Sequence, residues 1–334
     1  MGSRDGWQSW VGTDQEWDSI RFRLGATNVF QGSKWAEFKR EEGWHAKRLV
    51  YLHDSSPLTA IQLLHKLPLP RVSVFWSPGG ASGNNEYFSK DFVTQLLSRH
   101  GTINHIRVGF QSPFTHEAAS RLSQIGFQHS EFALTPDISL HYFLNQTESQ
   151  KMDSLHPNWR RNLKRSTKYE PKAYYWREPD PESISLLMKE VVNFKGLRSS
   201  QIPWNLARIT RLINCFKESI AFVRCDDADG KLVSIRAALI DGETSWDIIA
   251  GTGESGRKSY SSYATFWKLT EVLSDLGVKV YDLAGIDPVA NKGVSDFKRG
   301  TGATEIKYLG EWDLTRPNVF SRLMKTTIKN RLSQ

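Results

Sequence analysis

One order of elements, read from apolar periodicity, occurs twice along this chain of 334 residues. Helical spacing over Asp14–Leu24 and Gln31–Glu42 is followed by three strand-like runs, HAKRLVYLH from His45, LTAIQLLHKL from Leu58 and RVSVFW from Arg71. A helix (Glu86–Arg99), a strand (Ile103–Phe110), a helix (Thr115–Ile125) and a strand near Phe127–Leu134 complete the first half. The second half begins with a helix (Asn158–Lys168), a strand (Lys172–Trp176) and helices at Pro181–Lys195 and Asn205–Phe216. Strands at Ser219–Arg224, Leu232–Ile240 and Thr244–Ala250 follow, then a helix (Ser259–Leu276) and strands Val278–Leu283 and Glu305–Leu314. Helices, a meander of three strands, a helix and two strands thus appear twice. A doubly wound sheet needs a helix between most strands, so the order predicts two α/β (α+β) domains with mixed sheets. The polar stretch LNQTESQKMDS (Leu144–Ser154) marks the boundary, giving a first domain over 1–150 and a second over 151–334.

Composition excludes several classes. Apolar residues make up 39% and charged residues 24%, with no low-complexity tract, which fits a folded globular chain. No apolar run approaches the ~20 residues a membrane span needs. The nearest, LVSIRAALI (Leu232–Ile240), is short and carries Arg236. The start, MGSRDGWQSW, has no apolar core of a secretory signal, and the expected compartment is the cytoplasm. Cys215 and Cys225 are too few for a disulfide framework and are expected as reduced core residues. The net charge is +8, and residues 1–150 hold 14 basic and 14 acidic side chains, so the whole excess lies in 151–334. A local basic excess favours a polyanionic partner.

Chemistry concentrates in YDLAGIDPVANKGVSDFKRGTGATEIKYLGEWDL (Tyr281–Leu314). A strand stops at Gly285, and the stretch that follows sets Lys292, Lys298 and Arg299 among glycines beside Phe297. A cationic element just past a strand's C-terminal end is where α/β folds gather ligands. GTGESG (Gly251–Gly256) has G-x-G-x-x-G spacing, but it follows a meander rather than opening a βαβ unit, so it reads as a glycine loop. HPNWRRNLKRSTK (His156–Lys168) is a helix with Pro157 near its start and cations three or four residues apart on one face. That face is either solvated or a contact for phosphates. The acid-free tail SRLMKTTIKNRLSQ either docks on its own domain or meets tRNA or an anionic membrane surface. There is no G-x-S-x-G, no H-E-x-x-H and no metal-ligand spacing, and the nine histidines are scattered.

Several stretches resemble the FemABX aminoacyltransferases. NVFQGSKWAEFKREEGWHAKRLVY (Asn28–Tyr51) is similar to their opening, where Phe-Gln precedes a W-x-x-x-K helix and a Gly-Trp strand entry. NWRRNLKRSTK resembles the basic helix opening their second domain. SSYATFWKLTEVLSDLGVKVYDLAGID (Ser261–Asp287) and KGVSDFKRGTGATEIKYLGEWDL (Lys292–Leu314) resemble their closing signature, a Y-D-x-x-G-I strand, a K-G-x-x-x-F-K-x-G helix and a G-E-x-D-L end. The resemblance runs in patches over most of the chain.

It implies two tandem GNAT-like acyltransferase domains, without the coiled-coil arm of some members. It also implies transfer of an aminoacyl group from aminoacyl-tRNA to an amine of a peptidoglycan precursor, a peptide or a similar acceptor, with no cofactor. The first domain would serve the acceptor and the second would be catalytic and hold the tRNA. Lys298 would be the cation at the ester carbonyl, with Phe297 shaping the groove. Lys39 and Trp35, from the W-x-x-x-K match, would bind the acceptor's phosphates, joined by Lys195, Arg198, Tyr260 and Tyr263. Arg160, Arg161, Lys164, Arg165, Lys168, Lys292 and Arg299 would meet the tRNA backbone, and a peripheral membrane contact is allowed. The alternative is an acyl-CoA-dependent N-acyltransferase, because GNAT folds often bind the donor's phosphates where GTGESG falls.

Two departures bear on the acceptor. Gly109, Phe110 and Gln111 precede Pro113 where the family often has an acidic residue. The arginine and tyrosine expected on an A-E-R-type helix give way to Asn193, Lys195 and Arg198.

Overall fold

The computed structural model describes residues 5–25, 28–98, 101–135, 137–169, 172–195, 204–289 and 291–332. Two compact units result, one made of residues 1–137 with 307–334 and one of residues 138–306.

In the first unit, Gly6–Ser9, His45–His53, Ser56–Leu69 and Val72–Ser77 form an antiparallel run. Val72–Ser77 then pairs in parallel with Ile103–Pro113. The chain crosses between these two through the helix Lys90–Leu97, the connection that parallel neighbours require. Ile103–Pro113 pairs antiparallel with the C-terminal strand Thr304–Arg316. Val72–Ser77 alternates strictly, turning Ser73, Phe75 and Ser77 inward. Phe75, Phe92, Leu96, Ile106 and Val108 are fully enclosed in this unit's core. The helix His116–Ile125 is bounded by its sequence: the Thr115 side chain accepts from the Ala118 amide, and Gly126 ends it at φ 104°.

The second unit repeats the plan. Lys172–Tyr175, Ile220–Asp226, Leu232–Asp241 and Thr244–Thr252 run antiparallel, and Thr244–Thr252 pairs in parallel with Val280–Gly285. The crossover is the helix Ser261–Asp275, whose Phe266, Leu269 and Leu273, spaced three and four apart, are fully buried. Each such side chain contributes about 1.5–3 kcal/mol. Ile138–Phe143 closes this sheet, antiparallel to Val280–Gly285.

The elements read from periodicity are present, and the strands Gly6–Ser9 and Ser82–Gly83 and the helices Glu148–Ser154, Glu254–Lys258 and Ser321–Leu332 join them. Ile138–Phe143 was not expected as a strand, and near Phe127–Leu134 only Gln128–His129 pairs. The division also departs from a boundary at 150. Each unit takes its last strand from beyond a simple cut, because Ile138–Phe143 pairs within the second unit and Thr304–Arg316 within the first. Among the described residues no helix is long and apolar enough to cross a membrane.

Candidate active site

In the second unit a buried charged group links the strands Leu232–Asp241, Thr244–Thr252 and Val280–Gly285. Arg236, inside the apolar run noted above, reaches Asp247 on the neighbouring strand with Nε–Oδ1 at 3.1 Å and Nη2–Oδ2 at 2.7 Å. The Tyr281 hydroxyl donates to Asp247 Oδ1 at 2.7 Å and accepts from Arg236 Nε at 3.0 Å. Burial alone would lower the Arg236 pKa, but Asp247 and Tyr281 together outweigh it and the guanidinium is held more firmly charged. Burial pushes the Tyr281 phenol well above its usual range.

The Arg236 guanidinium lies 5.1 Å from the Phe266 ring and 5.5 Å from the Phe297 ring. Phe297 sits on the helix Lys292–Arg299, with ring centroids 5.1 Å from Tyr263 and 5.5 Å from Trp159. The Trp159 indole donates to the Phe297 carbonyl at 3.1 Å. This close approach explains the glycine of the F-K-x-G match: a Cβ on Gly300 would lie 2.7 Å from Trp159 Cδ1.

Lys298 is buried and donates from Nζ to the Gly285 carbonyl at 2.8 Å. Burial lowers its pKa, Asp247 and Asp282 raise it, and Arg236 lowers it further. A partly desolvated ammonium interacts more strongly with a developing negative charge than one in water.

Tyr260 and Tyr263 stand at the start of Ser261–Asp275, with Tyr260 in the left-handed region at φ 59°. The Tyr263 hydroxyl accepts from Asn162 at 2.9 Å, and the Tyr260 hydroxyl accepts from Arg165 at 3.2 Å. The basic helix Pro157–Ser166 therefore presents Arg165 beside the aromatic group around Phe297. Of the other cations expected to meet tRNA, Lys164 and Lys168 are exposed. Arg160 bonds the carbonyls of Asp153 and Leu155, and Arg161 bonds Asn158. Lys292 pairs with Asp296, and Arg299 pairs with Glu305 at 2.6 Å.

The glycine loop holds an unexpected group. A Glu190 carboxylate oxygen accepts from the Glu254 amide at 2.9 Å, at the start of the short helix Glu254–Lys258. A Cβ on Gly253 would lie 2.4 Å from that oxygen, so a larger residue there would push the Glu190 side chain aside.

The acceptor residues expected in the first unit are largely enclosed. Lys39 is buried, ion-paired with Glu42, and its Nζ lies 5.7 Å from both the Trp35 and Trp76 rings. Trp35 packs edge-on against Phe30 at 4.8 Å. Lys195 ends the helix Pro181–Lys195 with its side chain outside the described residues, and Arg198 lies outside them entirely. Gly109, where the sequence departs from the family pattern, is closely packed. Gly109 faces Glu311 across the sheet, and a Cβ there would come within 3.3 Å of Glu311 Cγ.

Sequence reasoning missed Asp247, Asp282 and Glu190. The first two had a visible signal, a single acid inside an apolar strand, while Glu190 lay on a helix with no pattern to distinguish it.

No family model and no curated protein matches the sequence. Among solved structures, that of FemX aligns with a TM-score of 0.80 at 15% identity, covering 95% of this chain and 100% of its own. The fold is that of FemX. L-PGS from Bacillus licheniformis aligns at a TM-score of 0.59 and 10% identity, over 96% of this chain and 98% of its own. A tandem GNAT protein from the clavulanic acid biosynthesis pathway aligns at 0.56 and 11%, over 93% and 98%. The FemX likeness extends over 95% of the chain, and the fold is the tandem GNAT-like one that the family resemblance implied.

Proposed function

We propose that the protein is an acyltransferase that moves an amino acid from aminoacyl-tRNA to an amine, with Lys298 as the catalytic cation. The observation that carries this reading is a buried ammonium beside an aromatic group that the basic helix Pro157–Ser166 adjoins. An aminoacyl ester is already activated, so the enzyme needs no covalent nucleophile. The amine nitrogen attacks the ester carbonyl carbon and a C–N bond forms. The tetrahedral oxyanion collapses, the C–O bond to the ribose breaks, and the ribose oxygen takes up a proton as the nitrogen loses one. A well-placed cationic donor at the oxyanion contributes about 3 kcal/mol, and alignment of the two reactants contributes more. The Lys164 and Lys168 ammonium groups and Arg165 would neutralise tRNA phosphates, and Tyr260, Tyr263 and Phe297 would offer ring faces to an unstacked terminal base. The acceptor is an amine of a peptidoglycan precursor, a peptide or a related molecule. Lys39, whose ammonium already pairs with Glu42, is less suited to binding an acceptor's phosphates than the sequence alone implied.

Glu190 separates this reading from an acyl-CoA donor. A pyrophosphate at the glycine loop would meet a carboxylate at the amide it needs. Incubation with a mixture of charged tRNAs and simple amines tests the proposal. Loss of aminoacyl ester that depends on both the amine and the protein supports it. No loss from any tRNA, together with acetyl transfer from acetyl-CoA, would replace it with the CoA reading.

A further inference from the structure

The Lys298 ammonium is placed by the carbonyl it donates to, and that carbonyl lies in an irregular piece of strand. Pairing between Val280–Gly285 and Ile138–Phe143 is regular to Asp282–His141 and resumes at Gly285–Ser139, so the register shifts between Asp282 and Gly285. Within the shift Ala284 takes φ 60°, a left-handed conformation disfavoured for any residue with a Cβ. Strained backbone of this kind persists only where its surroundings over-determine it.

What over-determines it is Asp282, which is fully buried. Its carboxylate accepts from the Ala284 amide at 2.7 Å, from His141 Nε2 at 3.1 Å and from the Ser139 hydroxyl. One residue beyond Ala284, the Gly285 carbonyl faces Lys298 Nζ.

We propose that Asp282 is a positioning residue for Lys298: held by Ser139 and His141, its carboxylate fixes the left-handed turn at Ala284 and so aims the Gly285 carbonyl at the Lys298 ammonium. The inference rests on the catalytic reading of Lys298 given above. Asp282 also acts on that ammonium through charge, together with Asp247 and against Arg236.

Three variants test it, read in the aminoacyl-ester assay at a pH where lysine is charged. Asp282→Asn should lower turnover at least about tenfold with KM for the charged tRNA held, since ~1 Å of misplacement can cost about 100-fold. Glycine adopts the left-handed region without penalty, so adding Ala284→Gly to Asp282→Asn should restore part of the loss. Wild-type turnover in Asp282→Asn overturns the proposal, and so does a loss that Ala284→Gly does not relieve. Should Asp282→Asn not fold, Ser139→Ala removes one donor to the carboxylate and should lower turnover with KM held. Wild-type turnover there overturns the proposal equally.

A second readout needs no turnover. The Lys298 side-chain NMR signal should titrate at lower pH in Asp282→Asn than in wild type, and an unmoved midpoint contradicts the inference. Lys298→Met keeps the two levels apart. If that variant turns over normally, the catalytic reading fails, while the titration still decides whether Asp282 acts on Lys298.

Discussion

Arg236 and Asp247 meet in a two-point ion pair between adjacent antiparallel strands of the second unit, and Tyr281 bonds to both. All three side chains are largely out of water, so the pair is costly to break and of little use as a simple strut. Its guanidinium lies against Phe297, the neighbour of Lys298, so it sets the charge and the packing around that ammonium.

Removing one partner leaves the other charge buried. Asp247→Ala should destabilise the protein by about 3–5 kcal/mol, and the double variant Arg236→Met/Asp247→Leu should lose less than Asp247→Ala alone. Urea unfolding curves of the three proteins measure this. A double variant no more stable than Asp247→Ala would show that the pair is not the cause.

Lys298→Met should raise stability while it removes activity. The folded pKa of Lys298 is depressed by burial below its unfolded value. Between the two values the unfolded chain holds the extra proton, so wild-type stability rises with pH there. The burial penalty is present in full below the folded value and is relieved as pH rises through it. The Met variant should therefore melt at a higher temperature near neutral pH, and its advantage should shrink on the alkaline side. A variant that melts lower at every pH contradicts this.

Glu190 should exclude acyl-CoA. Acetyl-CoA at millimolar concentration should leave the melting temperature of the wild-type protein unchanged, whereas Glu190→Ala opens the glycine loop and should show a shift of at least about 1 °C. Stabilisation of the wild type by acetyl-CoA would favour the CoA-dependent reading.

In the first unit, Arg107 binds Asp313 at two points, both 2.7 Å, with both side chains buried. Burial alone would raise the Asp313 pKa, but His105 and Arg107 outweigh it and hold the carboxyl well below the usual carboxylate range. Its contribution to stability is therefore complete above the unfolded value of ~3.9 and is lost as pH falls below it. Asp313→Asn should lower stability at neutral pH and flatten the loss between about pH 4 and 2, read as melting temperature against pH.

The elements of this fold were legible because their apolar periods are clean. Phe266, Leu269 and Leu273 recur at helical spacing, and Val72–Ser77 alternates residue by residue. Strand exchange was not legible, because nothing local tells Thr304–Arg316 that its partner is Ile103–Pro113, some 200 residues away. Ile138–Phe143 escaped for the same reason, its identity being fixed by Val280–Gly285. At the site, Lys298 and Phe297 stood out through their spacing to flanking glycines. Glu190 did not, because it acts on a backbone amide at a helix start 64 residues away, and Asp282, though part of the Y-D-x-x-G-I match, gave no sign of the left-handed Ala284 whose amide it holds.

The central claim is that Lys298 stabilises the oxyanion of an aminoacyl ester under attack by an amine. The most direct measurement is single-turnover loss of aminoacyl ester from charged tRNA, with amine in excess, for wild type and Lys298→Met. The account predicts a rate lower by about 100-fold or more in the Met variant, equal to about 3 kcal/mol of lost transition-state stabilisation, with tRNA binding unchanged. Equal rates in the two proteins would contradict it.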